Sequence, residues 1–232
     1  MSRESISRLL KDVKQLRGHP MSDVGIFYIH HESNMLKGYA MIVGPKDTPY
    51  FGGYYLFDIT YPVEYPFLPP IVKSSTQGNG VRFNPNLYCN GKVCLSVLNT
   101  WFGSSWSACE SIRTVLLHLQ MVFTPNPMLN EPGITDPSSC APYAKSIEYH
   151  NIDVAVCNII NKLPGYYLPF FDMFYEIILE RFRANRNELK QLVETRRQFN
   201  NGMKSVVVPL YNMNTLTDYV GLLLKIENII DI

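Results

Sequence analysis

The 232-residue chain is 46% hydrophobic and 18% charged, with a formal net charge of +1. That balance suits an ordered globular protein with a sizeable core, and it excludes a disordered polar chain as well as bulk attraction to nucleic acid or an anionic membrane. No apolar run approaches the roughly 20 residues a membrane helix needs, and the opening Met1-Ser2-Arg3-Glu4-Ser5 has charge without an apolar stretch behind it, so neither a span nor a secretory leader is expected.

In chain order, residues 2–17 read as an amphipathic helix. Ile6, Leu9, Leu10, Val13 and Leu16 recur at helical spacing, and Gly18 and Pro20 close it. The opposite face is mostly basic, with Arg3, Arg8, Lys11, Lys14 and Arg17 outnumbering Glu4 and Asp12. Such a face is either simply solvated or a contact surface. Strand-like runs follow near 24–31, 36–43, 53–61 and 71–74, separated by Glu32-Ser33-Asn34, by Gly44-Pro45 to Gly52-Gly53, and by a proline-rich corner from Pro62 to Pro70. Short consecutive strands with short turns predict an antiparallel meander with helices packed on one side, an α+β domain.

From Gly78 to Ser105 there is little periodicity, and long irregular stretches in compact domains tend to be functional. Ser107-Ala108-Cys109-Glu110 has the spacing of a capping box, continued by Ile112, Val115, Leu116 and Leu119 as a helix to about Phe123, with Pro125 and Pro127 as its stop. A second helix is expected from about Pro142 to Leu163, with Tyr143, Ile147, Val154 and Ile160 on one side, before the Pro164-Gly165 break. Beyond it, Pro169 to about Asn200 reads as a long helix striped by Phe170, Phe174, Ile177, Ile178 and Phe182. Asn200-Asn201-Gly202 ends that helix, and a last one is expected over about 215–230. The chain therefore divides into a core over 1–163 and a helical extension over 164–232, the latter apolar enough to pack on the core or on a partner.

Cysteines stand at 89, 94, 109, 140 and 157, an odd set without a Cys-x-x-Cys pair. They read as reduced thiols of a cytoplasmic protein with access to the nucleus, not as a disulfide framework. A free cysteine is commonly a packing residue, and Cys109, Cys140 and Cys157 are read so. Cys89 and Cys94 could form half of a zinc site, but no second ligand pair follows, and histidines 19, 30, 31, 118 and 150 are scattered. Asn86 could simply cap a turn, and Phe67 and Trp106 could be ordinary core aromatics.

The run Phe83-Asn84-Pro85-Asn86-Leu87-Tyr88-Cys89-Asn90-Gly91-Lys92-Val93-Cys94-Leu95-Ser96-Val97-Leu98 resembles the active-site signature of ubiquitin-conjugating enzymes, in which a His-Pro-Asn triplet precedes a Cys-Leu pair. Asn86 and Cys94 keep the family's eight-residue spacing. Gly44 to Gly53 resembles the loop before the family's third strand, Tyr61 to Pro70 its proline corner, and Trp106-Ser107 with Pro125-Asn126-Pro127 the segment after the cysteine. Together these cover residues 2–163 in the family's order. Cys94 to Trp101, the extra residues before Trp106, and Asn130-Glu131-Pro132-Gly133 are similar to the conjugating domains of the giant inhibitor-of-apoptosis and hybrid conjugating–ligating enzymes.

The resemblance implies a thioester of ubiquitin on Cys94, an oxyanion or loop-organising role for Asn86, and lysine positioning by Glu131. It implies no cofactor, since ATP is used by the upstream activating enzyme. Partners would be ubiquitin, the activating enzyme at Arg3, Arg8 and Lys11, ligases at Phe67, Trp106 and Ser107, and protein substrates with lysine, with no nucleic acid or membrane. Asn84 replaces the family's histidine, and Ala108 its proline after Trp-Ser. The chemistry is consistent with such a site: the thiolate is the nucleophile, and exchange between thioesters needs no histidine base because the departing thiol is a good leaving group. Two other readings remain, an inactive relative that holds ubiquitin or a ligase without chemistry, and a cysteine hydrolase, which needs a histidine beside Cys94.

Overall fold

The computed structural model describes residues 2–200 and 202–229; Met1, Asn201 and 230–232 lie outside the described residues, so the expected helix end at Asn201 and the last position of the 215–230 helix are not assessed. The first helix, α1 (Arg3–Gly18), is capped by the Ser2 hydroxyl, which accepts from the Ser5 amide at 3.1 Å. Leu9, Val13 and Leu16 enter the core as expected, but Leu10 is half exposed, and Asp12, read from the sequence as part of the charged face, is buried. Its carboxylate is compensated by Arg8 at 3.0 Å and by the Tyr65 hydroxyl at 2.5 Å, as a buried charge requires.

The meander forms: β1 (Ile26–His30), β2 (Lys37–Val43), β3 (Tyr54–Thr60) and β4 (Ile71–Ser74) are antiparallel in sequential order. The pairs Ala40↔Phe57 and Ile59↔Val72 set the register. Residues of one face, including Ala40, Ile42, Tyr55, Phe57 and Ile59, join α1 and α2 (Ile112–Met121) in the main core. The alternate residues Met41, Tyr54 and Leu56 pack on Ile152, Val156, Phe171, Phe174 and Ile178. The expected one-sided cover is therefore corrected: helices bury both faces. The run Tyr54-Tyr55-Leu56-Phe57, apolar without alternation, is what a strand covered on both sides looks like.

The expected capping box does not form. α2 starts at Ile112 with Ser111 at its N-cap, because the Ala108 and Glu110 carbonyls turn toward Arg8, accepting from Nη1 at 2.6 Å and Nη2 at 2.5 Å. α3 (Ala141–His150) runs on into a π-helical stretch, Asn151–Asn158, every residue of which is buried. Asn151 accepts from the Tyr55 hydroxyl at 2.7 Å and donates to the Phe51 carbonyl at 2.9 Å. A Cβ on Gly53 would lie 1.8 Å from the Asn151 carboxamide oxygen, which explains glycine there.

In the extension, a 3-10 turn (Pro169–Phe174) leads into α4 (Tyr175–Phe199), so the expected long helix is tight in its opening segment. A β-hairpin then follows, β5 (Lys204–Val208) and β6 (Met213–Thr217), where the sequence reading had no strand. Val206, Val208, Met213, Thr215 and Thr217 are buried while Ser205, Val207, Asn214 and Leu216 are exposed, a period of two. The last helix, α5 (Tyr219–Glu227), accordingly begins later than expected, capped by Asp218, which accepts from the Gly221 amide at 2.9 Å. Among the described residues no helix is long and apolar enough to cross a membrane.

Candidate active site

Between β4 and α2 the chain carries only a 3-10 turn, Ser96–Leu98, and isolated bridges at Asn84↔Leu87, Leu87↔Val93 and Lys73↔Lys92. Buried backbone polar groups outside regular structure need other partners. Around Cys94 they have them. The Cys94 amide donates to the Asn86 carbonyl at 2.9 Å, and the Asn86 side-chain amide donates to the Cys94 carbonyl at 2.7 Å. The Thr100 hydroxyl accepts from the Leu95 amide at 2.9 Å and donates to the Val93 carbonyl at 2.8 Å. Thus both peptides flanking the cysteine are held. Thr100 was not picked out from the sequence, and nothing in its type or spacing marks it.

Asn84 is the hub beneath that loop. It is 0% exposed, donates to the Tyr50 hydroxyl at 2.9 Å and the Val122 carbonyl at 2.8 Å, and accepts from the Asn86 amide at 2.9 Å. Asn130 also donates to it, at 3.3 Å. Asn86 is itself buried with its amide engaged on Cys94. That bond ties the two ends of the turn carrying Cys94.

Cys94 is 1% exposed, yet it belongs to neither contiguous apolar cluster, whereas Cys140 and Cys157 each pack inside one. Burial pushes the Cys157 thiol up to about 12, which suits an inert side chain. Cys109 is exposed, so its reading as a packing residue is corrected: it lies in the turn ahead of α2 that Arg8 holds open. Cys89 is exposed too, with its sulfur 3.4 Å from the Gly80 carbonyl oxygen, and partial burial raises its thiol pKa. No group of three or more His, Cys, Asp or Glu side chains that could hold a metal occurs among the described residues. The imidazoles of His30, His31, His118 and His150 bond to Tyr28, Ser33, the Thr114 carbonyl and Thr215. No histidine bonds the Cys94 sulfur among the described residues, so the hydrolase reading lacks its base.

Glu131 follows Asn130, the residue bonded to Asn84, so its backbone abuts the same hub. Its carboxylate does not stand free. It accepts from the Tyr211 hydroxyl at 2.6 Å and lies 3.9 Å from Arg82 Nη2. Tyr211, at the tip of the unforeseen hairpin, is eighty residues away in sequence. The remaining candidates divide. Arg3, Lys11, Phe67 and Ser107 are exposed. Arg8 is corrected from a contact cation to an internal tie, its guanidinium committed to Asp12 and the two carbonyls before α2. Trp106 is buried, 8% exposed, with its indole N–H donating to the Pro66 carbonyl at 2.7 Å.

Comparison with known proteins agrees with this loop. Residues 8–149 match the family model described as ubiquitin-conjugating enzyme. Ubiquitin-conjugating enzyme E2 Z of Danio rerio is 38% identical over 204 residues, covering 82% of this chain and 62% of that protein. The Homo sapiens protein of the same name is 40% identical over 189 residues, covering 75% of this chain and 52% of its own. The human dual E2 ubiquitin-conjugating enzyme/E3 ubiquitin-protein ligase BIRC6 is 48% identical over 100 residues, which are 40% of this chain and 2% of that one. The chain thus spans between about half and 62% of the length of these first two relatives. With the model matched across most of the core and the cysteine loop tied as described, the chain belongs to the ubiquitin-conjugating enzyme family.

Proposed function

We propose that Cys94 accepts ubiquitin as a thioester from an activating enzyme and passes it to a substrate lysine, with or without a ligase. The observation that carries this reading is the reciprocal pair between Asn86 and Cys94, which fixes a buried cysteine that joins neither apolar cluster on an irregular loop whose flanking peptides are both hydrogen-bonded. In the loading step the Cys94 thiolate attacks the carbonyl carbon of ubiquitin's activated C-terminus. The new C–S bond forms as the old one breaks, and the activating enzyme's thiolate leaves. In the discharge step a neutral lysine amine attacks the same carbon, the C–N bond forms, and the Cys94 thiolate departs; the amine's proton passes to a nearby carboxylate or to water. Asn86 holds the loop so that the thioester carbonyl keeps one orientation. Glu131 positions the incoming amine. Exposed Arg3 and Lys11 suit the activating enzyme, and exposed Phe67 and Ser107 a ligase.

The test is loading. Mixed with activating enzyme, ATP and ubiquitin, the protein should yield a band one ubiquitin heavier that thiols remove. Cys94→Ser should give an ester that thiols leave intact, and Cys94→Ala no adduct. Absence of any adduct across a panel of activating enzymes and ubiquitin-like modifiers would overturn the proposal.

A further inference from the structure

Tyr211 stands far from the cysteine loop in sequence, yet its side chain ends on the two groups that border that loop. Its hydroxyl donates to Glu131 at 2.6 Å. Its ring lies against the Arg82 guanidinium, 4.5 Å from the centroid, and the Tyr88 ring lies against the same guanidinium at 3.8 Å. Arg82 in turn donates to the Pro85 carbonyl, in the middle of the Asn84-Pro85-Asn86 turn. Tyr143 of α3 closes the cluster, donating to the Arg82 carbonyl at 2.6 Å and meeting the Tyr211 ring edge-on at 5.3 Å.

The hairpin that presents Tyr211 is itself fixed. Val208 and Met213, which flank its tip, are buried in the main core. Thr215 meets the Ser146 hydroxyl at 2.5 Å and His150 Nε2 at 3.0 Å. The tip turns on Asn212, held at φ +52°. A charge-assisted hydrogen bond of this length from an anchored donor restricts a carboxylate that would otherwise sample several rotamers on a loop.

We infer that Tyr211 is a positioning residue for lysine discharge: through its bond to Glu131 the C-terminal extension sets the carboxylate that receives the incoming amine. The inference rests on the proposed conjugating activity and on Glu131 as the amine-positioning group. It makes the extension part of the active site instead of an appendage to the fold.

The experiment uses the full chain loaded with ubiquitin, the activating enzyme then being quenched. Loss of thioester is followed over a range of free lysine concentrations and, in parallel, with hydroxylamine. Hydroxylamine is largely neutral near pH 7 and strongly nucleophilic, so it needs no carboxylate to align or deprotonate it. Tyr211→Phe keeps the ring on Arg82 and removes only the donor. It should load normally and discharge to hydroxylamine as wild type does, while discharge per unit lysine falls by roughly 5- to 30-fold, the factor that a loss of about 1–2 kcal/mol in amine positioning gives. The loss should be concentrated at low lysine concentration, and Tyr211→Phe combined with Glu131→Gln should be no slower than Glu131→Gln alone. Leu216→Ala, on the exposed side of β6, should discharge as wild type does.

If Glu131→Gln slows lysine discharge and Tyr211→Phe does not, the inference falls while the function stands. If Tyr211→Phe slows lysine and hydroxylamine equally, its role is general loop integrity and the inference falls again. Additive losses in the double variant would refute the route through Glu131. Failure of the wild type to load at all would remove the conjugating activity itself. Should Tyr211→Phe unfold, fluorotyrosine at position 211, which keeps the ring and the hydroxyl but makes it a stronger donor to Glu131, takes its place: it should change lysine discharge and not hydroxylamine discharge, and an unchanged lysine rate would overturn the inference.

Discussion

Replacing Asn84 with alanine tests the account of the loop most directly. Its side chain serves the Tyr50 hydroxyl, the Val122 carbonyl, the Asn86 amide and Asn130. Some of these survive without it. Tyr50 still donates to the Phe83 carbonyl at 2.7 Å, and Asn130 still donates to the Val122 carbonyl at 2.9 Å. The Asn86 N–H is different, because Asn84 is its partner and the residue is buried. An orphaned buried donor costs roughly 1–3 kcal/mol, and the lost bonds to Tyr50 and Val122 add about 1 kcal/mol each. With partial relaxation the sum is about 3 kcal/mol, which for a chain of this size lowers Tm by roughly 6–12 °C. Thermal unfolding followed by circular dichroism at neutral pH measures it, and ubiquitin loading should slow as the Asn86 turn loosens. Asn84→Asp separates the two halves of the role. It keeps the acceptor for Asn86 but sets an oxygen against the Val122 carbonyl, so it should also be destabilised. A Tm for Asn84→Ala within about 2 °C of wild type would refute the hub.

Arg8→Gln leaves the buried Asp12 carboxylate without its cation and should cost about 2 kcal/mol in urea unfolding; the exposed pair Arg3→Ala and Lys11→Ala should change stability by less than about 0.5 kcal/mol but slow loading by the activating enzyme. Equal stability losses in the two variants would contradict the separation of tie from contact surface. His150 is held neutral by burial, its pKa lowered from 6.5 to about 4 against the weaker pull of Asp153. Above 6.5 the imidazole is neutral folded and unfolded; between 6.5 and about 4 the unfolded chain binds a proton that the fold refuses. Stability should therefore fall as the pH drops through that window, by on the order of 3 kcal/mol in all. His150→Gln should flatten the Tm–pH curve there, and an unchanged slope would refute the assignment. Ending the chain at Leu163 uncovers Met41, Tyr54 and Leu56, each 0% exposed in the full chain, at roughly 1.5–3 kcal/mol apiece. The shortened protein should aggregate or bind a hydrophobic dye, and a monomer as stable as the full chain would overturn the shared core.

The elements whose determinants are local were legible in the sequence. The strands followed from short apolar runs between turn residues, and the Asn86–Cys94 pair from the resemblance of its eight-residue spacing to the family's signature, a local feature that the hydrogen bonds between the two residues match. The hairpin's alternation at Val206, Val208, Met213 and Thr215 is equally local, but each strand is only five residues long, too short to stand out beside the helical periodicity on either side. What the sequence could not carry are contacts whose partners lie far apart along the chain. Arg8 looks like any exposed helix cation until the Ala108 and Glu110 carbonyls, a hundred residues on, turn to meet it, and their turning also shifts the start of α2. The second covered face of the sheet depends on where Phe171, Phe174 and Ile178 come to rest. The bond from Tyr211 to Glu131 exists only because Val208 and Met213 anchor the hairpin in the main core. Spacing encodes which residues share a loop, since backbone geometry links near neighbours directly; which loop meets which helix end is decided by packing the whole chain around two apolar clusters at once.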